Sequence, residues 1–459
     1  MPSSSLPAPR FVTQRLDHFD GSDTTTWQQA YYVNSTYFQA GSDAPVYLCV
    51  GGEGPPLDGS VVVASVHCNV AVELLPKTGA IMFALEHRYY GCHNMSACPV
   101  ENPLAKGALR YLSSRQALGD LAAFISYIRQ QYNLPNNKIV TFGGSYPGML
   151  AGWARLKYPH LVHASVASSA PVEAVLDMRG YYDVTAFAYS VSDNNVGGSD
   201  ACRAAIATGH ATIGQYFNSS SGRNTLANIF GLPASYFEKY DNQASFAGGG
   251  VAYFPSQSND PSCTQAGCNI NLICQVMTNT SLGDEVHRLA VVRKQQLEWL
   301  PAAFESFATK TLRVGAEADY WGYQTCTEFA FYQTCEVGSD CFFTQGYLTL
   351  NATEAACQAE FGIDFTTVQQ NVIASNAWYG GRNSAGSCLM YPNGEVDPWN
   401  SQSILNTTAP GITTLMVPGA SHHAWTHPSA PSDQPSVVAA RKTIADFVSN
   451  ALNQACGQV

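Results

Sequence analysis

Three observations predict an α/β fold built on a doubly wound, mostly parallel sheet with a mainly helical insertion. Short, continuously apolar runs alternate with stretches of helical periodicity. Several of these runs end in a glycine-rich loop. The alternation stops near residue 175 and resumes near residue 388. Apolar runs without in/out alternation belong to strands covered on both faces. Strands that alternate with helices pair in parallel through crossovers.

The elements follow in order. Pro45 to Val50 (PVYLCV) is a buried strand that enters the loop GGEGPP. Ser60 to Leu75 carries small and apolar residues at helical spacing, and Gly79 to Leu85 (GAIMFAL) is the next strand, followed by EHRYYG. Between Tyr111 and Tyr132, Leu112, Leu118, Leu121, Ala122, Ile125 and Ile128 share one face and predict an amphipathic helix. Asn133 and Pro135 stop it. Lys138 to Phe142 (KIVTF) is a third strand, which runs through GGSYPG into a helix from Met149 to Tyr158; Leu161 to Ser165 is a fourth. After Pro171 the character changes: helical stretches, a Gly/Ser-rich loop at 194–199, glycines 248 to 250 and cysteines 263, 268 and 274 take over. Strands return at Cys388 to Tyr391 and Ile412 to Val417, and a helix over Ser436 to Leu452 closes the chain. The predicted division is a first core part (1–174), a helical cap (175–311) and a second core part (312–459).

The chain has 459 residues, of which 46% are apolar, enough for two or three domains and a sizeable core. Charged residues are 12% and the formal net charge is −11. That excludes a disordered polyelectrolyte and offers no basic footprint for a nucleic acid. No apolar run reaches the roughly 18 residues of a membrane span. Fourteen cysteines are dispersed, none in C-x-x-C spacing, and six sequons stand at Asn34, Asn94, Asn218, Asn279, Asn351 and Asn406. Together they predict a disulfide-bonded glycoprotein that is secreted or held in a lysosome or vacuole. The opening MPSSSLPAPR has no apolar stretch of signal-peptide type. Cysteine pairing and homodimer formation stay open at this level.

The strongest chemical signal is T-F-G-G-S-Y-P-G-M-L, residues 141 to 150. Ser145 stands between an apolar strand and an apolar helix, with small residues that permit a sharp turn. Such a turn lifts the hydroxyl above the carboxyl edge of the sheet and leaves the next N–H groups at a helix N-terminus, where a developing oxyanion is favoured. This is the strand–turn–helix context of a G-x-S-x-G nucleophile elbow. Here the second residue after serine is Pro147, which the first turn of a helix accepts. A serine nucleophile needs a base. In this topology an acid and then a histidine follow in loops after later strands. Asp397 lies in NGEVDPW after CLMY, and His422 and His423 lie in PGASHHAW after ITTLMV.

At these residues the chain resembles the serine peptidases that include lysosomal Pro-Xaa carboxypeptidase, dipeptidyl peptidase II and thymus-specific serine protease, the last branch being nearest in its motifs. The resemblance runs through RLDHFD (15–20), GGEGP (51–55), LEHRYYG (85–91), RYLSSRQALGD (110–120), GGSYPGMLAGWARLKYPH (143–160), ASVASSAPV (164–172), WGYQTCTEF (321–329), WYGG (378–381), NGEVDPW (393–399) and PSDQPS (431–436). It implies an α/β-hydrolase core with a helical cap inserted after the elbow region. It also implies a triad of Ser145, Asp397 and His422, the first of the histidine pair by its distance from PSD at 431–433. The oxyanion donors would be the backbone N–H groups of Tyr146 and Gly52. One of Glu53 and Glu328 would bind a substrate α-amino group, and Trp321, Tyr323, Trp378 and Tyr379 would line a pocket for a proline ring. Short peptides trimmed at one end, next to proline, are the implied substrates, with no cofactor and no metal. Two readings from other classes stand beside this one: a noncatalytic binding glycoprotein on the same scaffold, and an esterase with the same triad. The presence of all three triad residues argues against the first, and the lack of an HGGG-type loop against the second.

Overall fold

The computed structural model describes residues 6–92, 95–300, 319–454 and 456. The sequon at Asn94 and the predicted boundary at 311 lie outside the described residues. Ten strands are present among them. Eight form one sheet in the order β1-β2-β4-β3-β5-β6-β9-β10. The predicted buried runs supply β3 (Val46–Val50), β4 (Ile81–Leu85), β5 (Ile139–Gly144), β6 (Ala164–Ser168), β9 (Leu389–Gly394) and β10 (Ile412–Val417), all mutually parallel. β6 starts three residues later than expected. Leu161 and Val162 are held by the carbonyl of Tyr158 in the turn that ends the preceding helix.

Two strands of the main sheet escaped the sequence reading. β1 (Arg10–Arg15) and β2 (Thr26–Asn34) pair antiparallel with each other, and β2 pairs antiparallel with β4. β1 is an edge strand whose side chains alternate between buried and exposed. A search for continuously apolar runs passes over it. Within the predicted helix over Ser60 to Leu75 there is instead a short 3-10 turn (Gly59–Val62), and the helix α1 runs from Asn69 to Thr78. The long amphipathic stretch is α2 (Ser114–Gln131), capped by the Ser113 side chain, which accepts from Gln116 N–H. The elbow helix is α3 (Tyr146–Lys157), and the closing helix spans Pro435–Asn453.

These helices cover both faces of the sheet. Leu118, Leu121, Phe124, Ile125 and Ile128 of α2, with Met149, Leu150 and Trp153 of α3, pack on Leu48, Phe83 and Ile139. On the other face, Val70, Leu74 and Leu75 of α1 and Val437, Ile444 and Val448 of the closing helix pack on Tyr47, Met82, Val140 and Met390. Between β6 and β9 the chain leaves the sheet. α4 (Gly180–Ala188), α5 (Asp200–Phe217), α6 (Ser220–Phe230), α7 (Tyr240–Ala247), α8 (Ile270–Met277) and α9 (Glu285–Leu297) follow. Tyr189, Ile206, Ile213, Phe217, Leu226, Ile273 and Leu289 gather into a separate apolar cluster, which Phe342 and Phe343 join from much later in the chain. Phe329, Val368, Val372 and Tyr379 instead join the cluster under the sheet. There the Tyr379 ring stacks on Trp153 at 3.6 Å. A small parallel pair, β7 (Val175–Asp177) and β8 (Ala330–Tyr332), ties the start of this excursion to its later part.

All fourteen cysteines pair: 49–68, 92–98, 202–274, 263–268, 326–357, 335–341 and 388–456. Among the described residues no helix is long and apolar enough to cross a membrane.

One buried ion pair joins three segments near the sheet. Arg88, fully buried after β4, donates from Nε and Nη2 to the two oxygens of Asp120 on α2, at 2.7 and 2.8 Å. Its Nη1 reaches the carbonyls of Leu16 and Tyr111, both at 3.0 Å, and His18 Nε2 meets Asp120 Oδ1 at 2.7 Å. Burial by itself would raise the Asp120 carboxyl; Arg88, with His18 behind it, overrides burial and holds it below the usual carboxylate range. Asp120→Ala strands a buried guanidinium, so it should cost about 3–5 kcal/mol. Asp43→Ala, at an exposed position, should cost less than about 0.5 kcal/mol. Denaturant midpoints of the two variants against the parent protein measure both.

Candidate active site

β5 ends at Gly144, and Ser145 follows with φ 65°, ψ −133° before α3 begins. A non-glycine residue at positive φ is strained and persists only where its surroundings hold it. The surroundings here are backbone. Ser145 N–H donates to Ser168 O at 3.0 Å, and Met149 N–H donates to Ser145 O at 3.0 Å. A Cβ at Gly143 would lie 2.2 Å from Pro147 O, and one at Gly148 would lie 2.7 Å from Ser168 O. Only glycine lets the chain fold back on itself this tightly. Ser145 is half-buried while its neighbours on both sides are buried, so its hydroxyl is the group the turn presents.

β9 and β10 run parallel in register, Gly394 opposite Val417, so the loops after them leave from the same edge of the sheet. At Gly394 a Cβ would meet Ala420 O at 2.3 Å; its absence lets the two loops cross in contact. Asp397, wholly buried, accepts at Oδ2 from His422 Nδ1 at 2.8 Å and at Oδ1 from Trp399 N–H at 3.0 Å. With Nδ1–H on the carboxylate, Nε2 of His422 is the basic nitrogen, and among the described residues it has no partner. His423 is turned away. Its N–H donates to Ser169 Oγ, its Nδ1 meets Thr426 Oγ1, and its ring packs over Gly144. Burial first, and then the imidazoles of His422, His67 and His427, push the His423 ring well below the usual histidine range.

The GGEG loop reaches the elbow. Gly52 packs so close to it that a Cβ would fall 2.2 Å from Pro147 Cγ. The side chain of Glu53 lies at the serine itself. Its carboxyl lies beside Ser145 and Tyr146, and its Oε2 is buried without a partner. Burial pushes this carboxyl up to about 8.

The other predicted substrate residues separate. Glu328 is buried, and its two oxygens are taken by Ser114 N–H, Ser114 Oγ–H and Gln324 Nε2–H at 2.5–3.0 Å. That makes it a clasp on the N-terminus of α2, with no free oxygen for a substrate amine. Trp321 lies over the elbow, its ring 5.6 Å from that of Tyr146. Trp378 is exposed and carries Arg115 and Lys157 over its ring at 4.3 and 4.4 Å; it is a surface residue. Tyr323 packs on Phe361, and Tyr379 on Trp153. Phe329, Phe331 and Trp399, all buried, continue the aromatic packing behind it: Phe329 lies 5.7 Å from Tyr146 and from Phe331, and Phe331 lies 5.5 Å from Trp399.

Sequence reasoning missed Gln257. This residue of the inserted segment accepts His422 N–H at its carbonyl (3.0 Å), and its Oε1 accepts Trp399 Nε1–H (2.9 Å) and Tyr181 O–H (2.8 Å). It braces the aspartate and histidine loops together. It also lines two cavities. One, of about 370 Å³, is walled by Tyr181, Tyr182, Tyr253, Phe254 and Phe343. The other, of about 460 Å³, holds Asp260, His422, His427 and Asp433 on its walls. No sequence signal marks this glutamine, because its partners come from chain positions far away. Among the described residues no group of three or more acidic, histidine or cysteine side chains is arranged to hold a metal ion.

A family model described as serine carboxypeptidase S28 matches residues 14–444. The chain belongs to that family. It is 33% identical to human thymus-specific serine protease over 96% of this chain and 86% of that protein, and 34% identical to the mouse protein over 96% and 87%. Similarity extends to mouse lysosomal Pro-X carboxypeptidase, at 25% identity over 96% of this chain and 90% of that one. The chain is therefore a serine peptidase of the S28 family, with peptides as its substrates.

Gln257 acts on the site through other residues, so truncating it should loosen the aspartate and histidine loops without removing a reacting group. Gln257→Ala should lower kcat about tenfold, the order of one lost buried hydrogen bond, with KM close to that of the parent. Gln257→Glu keeps the accepting oxygens and should recover most of kcat. Steady-state kinetics on one peptide substrate decide this.

Proposed function

We propose that this protein is a serine exopeptidase that trims short peptides at one chain end, next to proline or a similarly compact apolar residue. Ser145 is the nucleophile, His422 the base and Asp397 its orienting carboxylate. The observation that carries the reading is the Asp397–His422 hydrogen bond of 2.8 Å, with Nε2 left unpartnered, in a chain whose serine stands on a strained strand-to-helix turn.

The mechanism follows from those groups. Ser145 Oγ attacks the scissile carbonyl carbon, and its proton passes to His422 Nε2. Asp397 keeps the imidazole in the productive tautomer and stabilises the imidazolium. The oxyanion takes the place at the N–H groups of Tyr146 and Gly52. His422 returns the proton to the leaving amine as the C–N bond breaks, which leaves an ester on Ser145. Water, deprotonated by His422, cleaves that ester and restores the enzyme. The partly exposed ring of Trp321, backed by buried Phe329, suits a flat apolar ring in place of a flexible charged side chain.

The helical excursion after β6 supports the exopeptidase reading. Its α4–α9 portion and the segment with Phe342 and Phe343 act as a cap, and Gln257 brings that cap against the catalytic loops. A cap narrows the approach to one chain end and excludes water. Seven disulfides suit the secretory pathway, and a lysosomal or vacuolar location fits the similarity to lysosomal Pro-X carboxypeptidases.

Ser145→Ala should lower kcat about 10⁴- to 10⁶-fold with the fold intact. His422→Ala should be far more damaging than His423→Ala, and the reverse order would move the base by one residue. Product masses from peptides blocked at the amino end, the carboxyl end or both identify the trimmed end. A single block at that end should stop cleavage. Internal cutting of doubly blocked peptides at comparable rates would make the enzyme an endopeptidase.

A further inference from the structure

We infer that the cavity beside His422 receives the leaving part of the substrate, and that Asp260 and Asp433 on its walls select a peptide with lysine or arginine there. The inference rests on the proposed triad and names the class of substrate that the triad serves.

Position assigns the cavity to the leaving side. It measures about 460 Å³, inside the range of roughly 300–1,000 Å³ usual for small-ligand sites. Of the three triad residues only His422 lines it. The rest of the wall comes from the loop after β10, the start of the closing helix and residues 257–262 of the cap. When the scissile bond breaks, the leaving nitrogen takes its proton from His422 Nε2, so the residue that carries this nitrogen lies against the imidazole. His422 is only 8% exposed, and its Nε2 has no partner among the described residues. Ser145 and Trp321, which packs on Tyr146, lie outside this cavity, and they are left to the acyl part.

Charge then decides what the leaving part can carry. Asp260 and Asp433 stand on the walls, and among the described residues no Lys or Arg does. Each aspartate has one oxygen committed. Asp260 Oδ1 accepts from Ser262 N–H and Ser262 Oγ–H at 2.8 and 2.7 Å. Asp433 Oδ2 accepts from Ala430 N–H at 2.8 Å and from Arg441 Nη1 at 2.5 Å. The second oxygen of each is open. Arg441 offsets part of the Asp433 charge from behind the wall, where the carbonyls of Trp425 and His427 also hold it. The imidazoles on the wall are those of His422, His423 and His427. Burial and then Arg441 lower His427, and His423 lies well below the usual histidine range, so neither adds positive charge at neutral pH. The excess is negative. A lysine or arginine side chain meets two open carboxylate oxygens, whereas an acidic side chain meets repulsion in a recess where water screens it less.

The loop that carries Asp260 is preset. The Cys263–Cys268 disulfide closes it, and Asn269 Nδ2 donates to the carbonyls of Asp260 and Cys263 at 3.1 and 3.0 Å. The bond from His422 N–H to Gln257 O at 3.0 Å fixes the start of the same segment to the histidine loop. A carboxylate held in place before substrate arrives loses little freedom on binding. The cavity of about 370 Å³ that shares Gln257 and Ser258 with this one has no charged residue on its described walls. The acidity is thus confined to the side that touches His422.

The test uses the whole protein and three versions of one cleaved peptide, which differ only in having Lys, Met or Glu directly after the scissile bond. In kcat/KM at neutral pH and low salt, Lys should exceed Met about tenfold and Glu should trail Met about tenfold. About 0.5 M salt should shrink both ratios. Asp260→Asn should cut the Lys preference about threefold, and Asp260→Lys should turn it into a preference for Glu. Asp433→Asn, which keeps an acceptor for Ala430 N–H, should act in the same direction as Asp260→Asn. Thermal unfolding checks that each variant is folded. Equal rates for the three peptides in the parent, or a Lys preference that survives Asp260→Lys, would overturn the inference and leave the triad standing. An ester with a small uncharged leaving group reads the triad separately. If the Asp260 variants lose as much on this ester as on the Lys peptide, Asp260 only supports the local structure and the inference is wrong. If Ser145→Ala still turns over the peptides, the triad assignment fails, and the inference with it.

Discussion

The turn at Ser145 is possible because the positions packed around it carry no side chain. Gly143 and Gly148 let α3 start directly against β5 and β6, and Gly52 lets the neighbouring loop rest on Pro147. Gly144 leaves room for the ring of His423. At Gly143 and Gly148 any larger residue would force the backbone apart by more than the turn can absorb, because the contacting atoms there are mostly main chain. Everything functional is arranged about this close approach. It fixes the direction of the serine and the gap through which the histidine loop passes.

Behind the turn lies a buried polar chain that keeps α3 from shifting. His87 donates from Nδ1 to Arg88 O at 2.7 Å, so its Nε2 accepts the Tyr146 hydroxyl at 3.0 Å. That hydroxyl accepts from Gln324 Nε2 at 2.9 Å, and Gln324 continues to Tyr90 and Glu328. Burial holds His87 down to about 4, so it stays a neutral acceptor. A fully satisfied network of this kind is stiff because each member would be costly to leave unpaired. It connects the elbow to residues 324–328, which lie far along the chain and pack under the sheet.

The buried ionisable groups also bias the protein toward a window of pH. Burial raises Glu86 to about 7, although Leu57 and His87 N–H groups donate to it. A carboxyl raised in the folded state contributes stability that is full below the ordinary carboxylate range and is lost as pH rises through its folded value. Glu86 and Glu53 thus favour the folded state on the acid side, with the loss running from the ordinary value of 4.5 up to about 7 and about 8. His87 and His210, lowered by burial to about 4 and about 3, act in the opposite sense. Their contribution is full above the ordinary histidine value and falls as pH drops toward those values. The two sets together leave the widest margin in mildly acid solution, which suits the acidic composition and the disulfide framework.

The sequence by itself determined the central strands, the helices on both faces and the order serine, aspartate, histidine. Each of these depends on local pattern: apolar runs, helical spacing, and glycines flanking a strand end. It also made the cysteines legible as disulfides, though not their partners. Only the tertiary structure decided the rest. The strands β1 and β2 depend on β2 pairing with β4 and on β1 pairing with β2, which no local run of residues announces. His422 rather than His423 meets Asp397 because the loop after β10 crosses Gly394, a contact between distant segments. Glu53 and Glu328 look alike as acidic residues in motifs. One stands at the nucleophile and the other closes a helix end, because packing alone decides what a carboxyl faces. Gln257 carries no signal at all in the chain. It acquires its role where an inserted segment folds back over two loops, and a hydrogen bond between residues 142 positions apart is a property of the fold, beyond the reach of any local reading.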